Sequence, residues 1–405
     1  MKIPNSLRFT GKDPGIVGSE KQKLLDELRK KLEEEGHKSI ITDSLMGQVP
    51  NLLIGSYGYP NVNTGFLASD SLKEEDNPKN WVSNKDISIK DIILMRQSLT
   101  NSRFTTDVKN NNKFSDNLKE VSLSSKALDA EIFFDGKTTK EFSLNKDTLP
   151  HGPVGALKKL DVLENPRIPF HVQRAESDID LKANEAVTIL NKKGIDEHFL
   201  TKIISAGNLG VKIQRKIVPT KWSITLVDDS LGKNYINKIK DFENHDYCFF
   251  EGSYLGNYYF CLIFPGPWSF ELFETYVGNL NNSSNYESAS DYESPFGRKS
   301  YAFNTSGGYY ASRLAVLEYF LKKKMKGRVL MFRFITEEYW APLGVWVVRE
   351  ASRNAFKSNP LFFEEKSKML NHVFVKALKS FKINVNHLYR QSKLVKDLAE
   401  QKTLT

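Results

Sequence analysis

The 405-residue chain predicts an α+β fold, with mixed α/β as the alternative, built as a strand-rich centre and a helical C-terminal part. Three observations predict it. Aromatic and apolar runs at residues 247–250 and 257–264, joined through Glu251-Gly-Ser-Tyr-Leu-Gly256, read as an antiparallel hairpin, and 328–335 as a further strand. Residues 360–381 repeat apolar pairs at helical spacing: Met369/Leu370, Val373/Phe374, Ala377/Leu378, then Phe381. The composition, 40% apolar and 26% charged, is that of a globular protein able to bury a sizeable core. The expected division is residues 1–170, 171–356 and a basic helical 357–405.

In chain order, Ser19 and Gln22 form a capping box, and Leu24, Leu25, Leu28 and Leu32 face one way until Gly36. Residues 50–65 read as a short strand entering a loop dense in Gly, Tyr and Asn, with Tyr57 and Tyr59 at its tip. That loop offers rings for stacking, or is a tight turn closed by aromatic packing. It lacks the Gly-Lys-Ser/Thr ending of a phosphate loop. A helix is expected over 89–99, an exposed connection over 101–117, and strands over 121–142, including 130–134 before the Asp135-Gly136 turn. Pro/Gly punctuation brackets a strand over 156–163. Asp180 is expected to cap a helix over 181–193, and Asp196 another over 197–206.

Residues 221–227 alternate as a half-buried strand should, with Trp222, Ile224 and Leu226 on one side. Asp228 and Asp229 then close the strand, either as chemistry-bearing carboxylates or as the cap of a helix over 230–242. Beyond the hairpin, residues 269–276 begin a helix, 279–295 form a polar loop, and 309–324 form a helix whose buried face is Leu314, Leu317 and Leu321. The turn at Pro342-Leu-Gly344 leads into a helix carrying Trp346 and Arg349, and a last helix spans 385–400.

The net charge is +9 and unevenly placed. Residues 202–240 carry eight Lys/Arg against two Asp/Glu, and residues 350–405 eleven against five. Two basic blocks suit phosphate contacts, or a solvated lysine-rich surface. Cys248 and Cys261 read as two buried thiols of a reducing compartment, with a disulfide as the alternative. No apolar run approaches the ~20 residues of a membrane span, and the start lacks a signal peptide's apolar core. A cytoplasmic, nucleoid-associated protein is expected.

A nucleic-acid site can be assembled from these parts. Arg215, Lys216 and Lys221 would hold phosphate, with Thr220 and Ser223 supplying hydroxyls. Tyr57, Tyr59, Trp222, Trp268 and Tyr309 offer rings, and Arg313 and Arg349 guanidinium groups. Asp228, Asp229 and Glu251 are the candidate catalytic carboxylates, able to bind Mg²⁺ or act as general bases. The acidic-x-Lys strand of restriction-type nucleases is absent, since Ser253 stands two residues after Glu251. At the end, Gln401 and Leu404 match the first half of a sliding-clamp peptide, whose aromatic half would lie beyond Thr405.

Several long stretches resemble the Nre family of archaeal DNA repair proteins. They include Gly55-Ser-Tyr-Gly-Tyr-Pro60, Gly152-Pro-Val-Gly-Ala-Leu-Lys-Lys159, Val218-Pro-Thr-Lys-Trp-Ser-Ile-Thr225 with Asp228-Asp229, Pro265-Gly-Pro-Trp-Ser-Phe-Glu-Leu272 and Ala341-Pro-Leu-Gly-Val-Trp-Val-Val-Arg-Glu350, in the family's order. The resemblance implies a role in DNA damage tolerance and a C-terminal peptide for the PCNA sliding clamp. Many members begin with a four-cysteine zinc element. Here the first cysteine is Cys248, so no zinc is expected and a structural metal is not carried over. The leading expectation is a clamp-recruited factor that binds damaged or structured DNA. The alternatives are a repair enzyme (glycosylase or metal-dependent nuclease) using Asp228, Asp229 and Glu251, and an interaction scaffold without DNA binding.

Overall fold

Alternation decides the first unit. In a strand spanning Leu128–Phe134, Leu128, Ala130, Ile132 and Phe134 point inward while Asp129 stays in water. The computed structural model describes residues 42–400 apart from 71, 73–75, 85, 111, 139–148 and 279–286. Strands β1 (Ser44–Ile54) and β2 (Asn61–Ser69) pair antiparallel. Helices α1 (Pro78–Ser83) and α2 (Ile89–Gln97) follow, then β3 (Thr100–Asp107), α3 (Lys113–Leu123), β4 (Leu128–Phe134) and β5 (Val154–Val162). The five strands close a barrel in the order β1-β2-β3-β5-β4, with β4 pairing back onto β1. Val49, Phe66, Ile132 and Leu160 fill it.

Short helices α4 (Phe170–Ser177), α5 (Ala183–Lys192) and α6 (Glu197–Ser205) lead to the long α7 (Thr220–Ile239). After β6 (Glu243–Asn244) come β7 (Tyr247–Tyr254), β8 (Asn257–Phe264), β9 (Ser269–Gly278), β10 (Glu287–Glu293), α8 (Gly308–Lys323), β11 (Met325–Lys326), β12 (Arg328–Thr336), α9 (Val345–Ala355) and β13 (Leu361–Phe363). The second sheet has the order β10-β9-β12-β8-β7-β13, and β11 pairs separately with β6. The chain closes with α10 (Lys366–Phe381), α11 (Asn386–Gln391) and α12 (Lys393–Glu400).

Both faces of the six-stranded sheet are covered. Cys248, Phe250, Cys261 and Met331 meet residues of α7, α8 and α9. Phe249, Phe260, Leu262 and Phe332 meet Met369, Val373, Ala377 and Phe381 of α10. A strand buried on both faces reads as a continuous apolar run, which is why β8 and β12 are legible at once. Cys248 and Cys261 are free thiols, pushed above the ordinary range by burial. The whole is α+β, with 40% helix and 28% strand. Among the described residues, no helix is long and apolar enough to cross a membrane.

Five expectations are corrected. Residues 221–227 are the opening turns of α7, not a strand; Ser223, Val227 and Leu231 recur at helical spacing and are its buried face. Tertiary burial there overrides the β-branched local preference. Residues 269–276 form strand β9, between β10 and β12. The polar stretch 101–117 holds β3 and the start of α3, where Asn101, Ser102, Thr106 and Ser115 are buried and Ser102 Oγ donates to Phe66 O at 3.0 Å. Helix α5 begins at Ala183 without an Asp180 cap, and the last helix breaks at Ser392, whose hydroxyl donates to buried Glu271. The predicted helix after Ser19 lies outside the described residues.

Candidate functional site

The barrel and the second sheet do not meet flush. Between them runs a cleft of about 1030 Å³, walled by the end of β1, α1, α6, the first turns of α7, residues 298–307 and the starts of α8 and α9. Asp76 and Asp229 are the only carboxylates among its described lining residues, which carry several Lys and Arg.

The mouth is set by the junction of β1 and α7. Thr220 Oγ1 accepts from the Ile54 amide at 3.0 Å, fixing the helix start against the strand end. The loop after β1 then lays Tyr59 against Trp222, ring centroids 5.0 Å apart. Lys216 Nζ donates to Tyr59 Oη at 3.0 Å and lies 5.7 Å from the ring centre. Lys216, Lys221 and Trp222 are exposed, and Tyr57 is 90% exposed at the loop tip.

The floor is ionic. Arg349 Nη2 donates to both oxygens of Asp228 at 2.8 Å, both side chains fully buried. Burial pushes the Asp228 carboxyl up, against the pull of the Arg349 guanidinium. Arg353 gathers Glu197, Glu318 and Glu350, each at 2.7 Å. Although burial opposes it, Arg349 and Arg353 hold the Glu197 carboxyl well below the usual range. His198, which lines the cleft, is pushed down to about 4 by burial and by Arg349, so its imidazole is neutral at pH 7. On the far wall Arg313 donates to Glu293 at 2.7 Å and to Asp229 at 2.6 Å, and Lys233 also reaches Asp229. Buried Asp291 accepts from Arg298 and from the amide and hydroxyl of Thr305, which sets the 298–307 segment. These pairs fix cations in place and leave ring faces between them, an arrangement suited to a flat, anionic ligand.

The structure gathers only part of the predicted set. Thr220, Lys221, Trp222, Asp229, Arg313 and Arg349 line the cleft, with Tyr57, Tyr59 and Lys216 at its mouth. Glu251 does not join Asp228 and Asp229. Alternation along β7 turns it with Phe249 to the opposite face, where it pairs with Lys376 of α10 at 2.6 Å. Among the described residues no cluster of three or more His, Cys, Asp or Glu forms that could hold a metal ion. Trp268 is core, its Nε1 donating to Glu293 at 2.7 Å, and Tyr309 and Ser223 are buried as well. Arg215 does not face ligand: it binds the Gly210, Glu176 and Asp178 carbonyls at 2.7–2.9 Å. Gln401 and Leu404 lie outside the described residues.

Sequence reasoning missed Glu197, His198, Arg353, Trp81 and Phe303. Asp196 as a helix cap was legible, and the structure keeps it with bonds to the His198 and Phe199 amides. Nothing local signals that His198 and Arg349 face one cavity, because their meeting is made by the packing of α6, α7 and α9.

Residues 16–280 match a family model described as Archaeal Nre, N-terminal, and residues 293–405 one described as Archaeal Nre, C-terminal. The chain is 34% identical to a Haloferax volcanii protein named DNA repair protein NreA, over 82% of this chain and 83% of that one. It is 32% identical to the Archaeoglobus fulgidus DNA repair protein NreB, over 90% and 92%. With the NreA of the same organism it shares 34% identity over 78% and 80%. No solved structure matches it.

Proposed function

The chain belongs to the archaeal Nre family, and from that premise we propose that it is a DNA repair protein that binds damaged or structured DNA at the mouth of the cleft and is recruited by the PCNA sliding clamp. The observation that carries the DNA-binding part is the exposed Tyr59–Trp222–Lys216 cluster beside Lys221. Rings stack on bases of any sequence, and lysines release counterions from phosphates. The clamp part rests on Gln401 and Leu404 and on the family. The three-carboxylate centre is not carried forward, because Glu251 faces away from Asp228.

Fluorescence anisotropy with labelled single-stranded, duplex and forked DNA, over a salt titration, tests the first part. Affinity should fall steeply with salt. Trp222→Ala should weaken it by about tenfold, as loss of one stacked base implies. Lys216→Ala should lower the salt slope by about one. Undetectable or salt-independent binding removes the reading. A pull-down with purified clamp, comparing the full chain with Leu404→Ala, tests recruitment; no capture of the full chain rejects it.

A further inference from the structure

Four residues that line the cleft each carry a buried polar atom with no hydrogen-bond partner among the described residues: Trp346 Nε1, Ser205 Oγ, Arg349 Nε and Arg313 Nε. Their residues are 4%, 2%, 2% and 1% exposed. Buried polar groups are almost always satisfied, so four on one cavity point to a ligand that satisfies them. Three are donors only and the fourth, a hydroxyl, can donate, so the complementary edge is one of carbonyl oxygens and ring nitrogens. Beside them stand flat faces. Trp346 meets Trp81 edge-on with centroids 5.3 Å apart, and Tyr301 lies 5.0 Å from Phe303 and 5.4 Å from Tyr310. Lys299 lines the same cavity, exposed and in no ion pair among the described residues.

We propose that the interior of the cleft is a pocket for a single unstacked nucleotide, its base held among the Trp346 and Ser205 donors and its phosphate near Lys299. The proposal rests on the DNA-binding reading and gives it a substrate class: a base drawn out of the helix. Two exposed rings stand next to the mouth in the chain. Phe296, 96% exposed, tips a turn closed by the Ser294–Gly297 bridge, two residues before cleft-lining Arg298. Tyr57 follows cleft-lining Ser56. Such rings fill the place a base vacates, lowering the cost of unstacking.

The test uses the full chain and two probes. Calorimetric titration with thymidine 5′-monophosphate should show one site, weakened about three- to tenfold by Trp346→Phe, as loss of one hydrogen bond predicts. Ser205→Ala should do the same; its hydroxyl bonds nothing among the described residues, so this variant keeps the test open should Trp346→Phe unfold. Absence of binding at millimolar nucleotide, or variants that bind like the parent, overturns the pocket. With a duplex carrying mismatched 2-aminopurine, saturating protein should change the probe's fluorescence lifetime, and Phe296→Ala should reduce that change. Full DNA binding with an unchanged lifetime overturns extrusion and leaves the binding reading standing. Nucleotide binding without DNA binding does the reverse: it supports the pocket and removes the DNA reading.

Discussion

Arg349 Nη2 bridges both carboxylate oxygens of Asp228 at 2.8 Å, tying α9 to α7 across 121 residues of sequence. The pair also joins the two family-matched regions, since Asp228 lies in the first and Arg349 in the second. Its position under the cleft makes it easy to mistake for reactive machinery. Its geometry is that of a buried tie whose carboxylate is already engaged.

Breaking that tie should be costly to the fold. Among the described residues, Asp228→Ala leaves the buried Arg349 guanidinium with one ion-pair partner, Glu197, 3.8 Å away. Removing one partner of a buried pair costs about 3–5 kcal/mol. Urea denaturation should show a midpoint lowered accordingly, with Asp228→Asn between it and the parent. An unchanged midpoint for Asp228→Ala would mean the pair is not structural.

Glu251→Gln should be nearly silent. Its partner Lys376 and the carboxylate are partly exposed, at 33% and 41%. Pairs of that kind contribute about 0–1 kcal/mol. The same denaturation series should place this variant within that margin, with DNA affinity unaltered. A large loss of DNA binding would return Glu251 to the functional site.

What was legible follows from which interactions are local. The hairpin of β7 and β8 and the helix after Gly344 announce themselves through turns, apolar runs and alternation. The stretch from Lys221 to Val227 does not. Its order of Trp, Ile, Thr, Leu and Val satisfies a period of two, and only the burial of Ser223, Val227 and Asp228 together reveals the helix. The mouth residues Tyr59 and Trp222 were both singled out because exposed rings and lysines carry their own chemistry. That they touch depends on Thr220 bonding Ile54, a contact spanning 166 residues.

Gly252 controls how closely α9 approaches the sheet. A Cβ there would stand 2.5 Å from the backbone N and Cα of Ala355. Backbone cannot rotate away as a side chain can, so Gly252→Ala must lift the C-terminal end of α9. Overpacking of this kind costs about 1–3 kcal/mol. A lowered melting temperature is expected. Because α9 also carries Trp346 and Arg349, nucleotide binding should weaken too. A melting temperature equal to the parent's would show that the helix can slide without loss.

Acid should destabilise the protein through His198. The imidazole is held at about 4 in the fold against 6.5 when unfolded. Below pH 6.5 the unfolded chain therefore takes up a proton that the folded one refuses, and stability falls as pH drops from about 6.5 toward about 4. Glu197 has the same sign at lower pH: its carboxyl is held below 4.5 in the fold, so its contribution is present above that value and lost beneath it. Asp228 has the opposite sign: burial raises it, so its contribution is greatest in acid and is lost as pH rises through its folded value. His198→Gln, which cannot take up the proton, should flatten the stability profile between pH 6.5 and 5, where the parent loses on the order of 1–2 kcal/mol. Urea midpoints at half-unit pH steps provide the measurement. Parallel slopes for parent and variant would mean that His198 is not the group responsible.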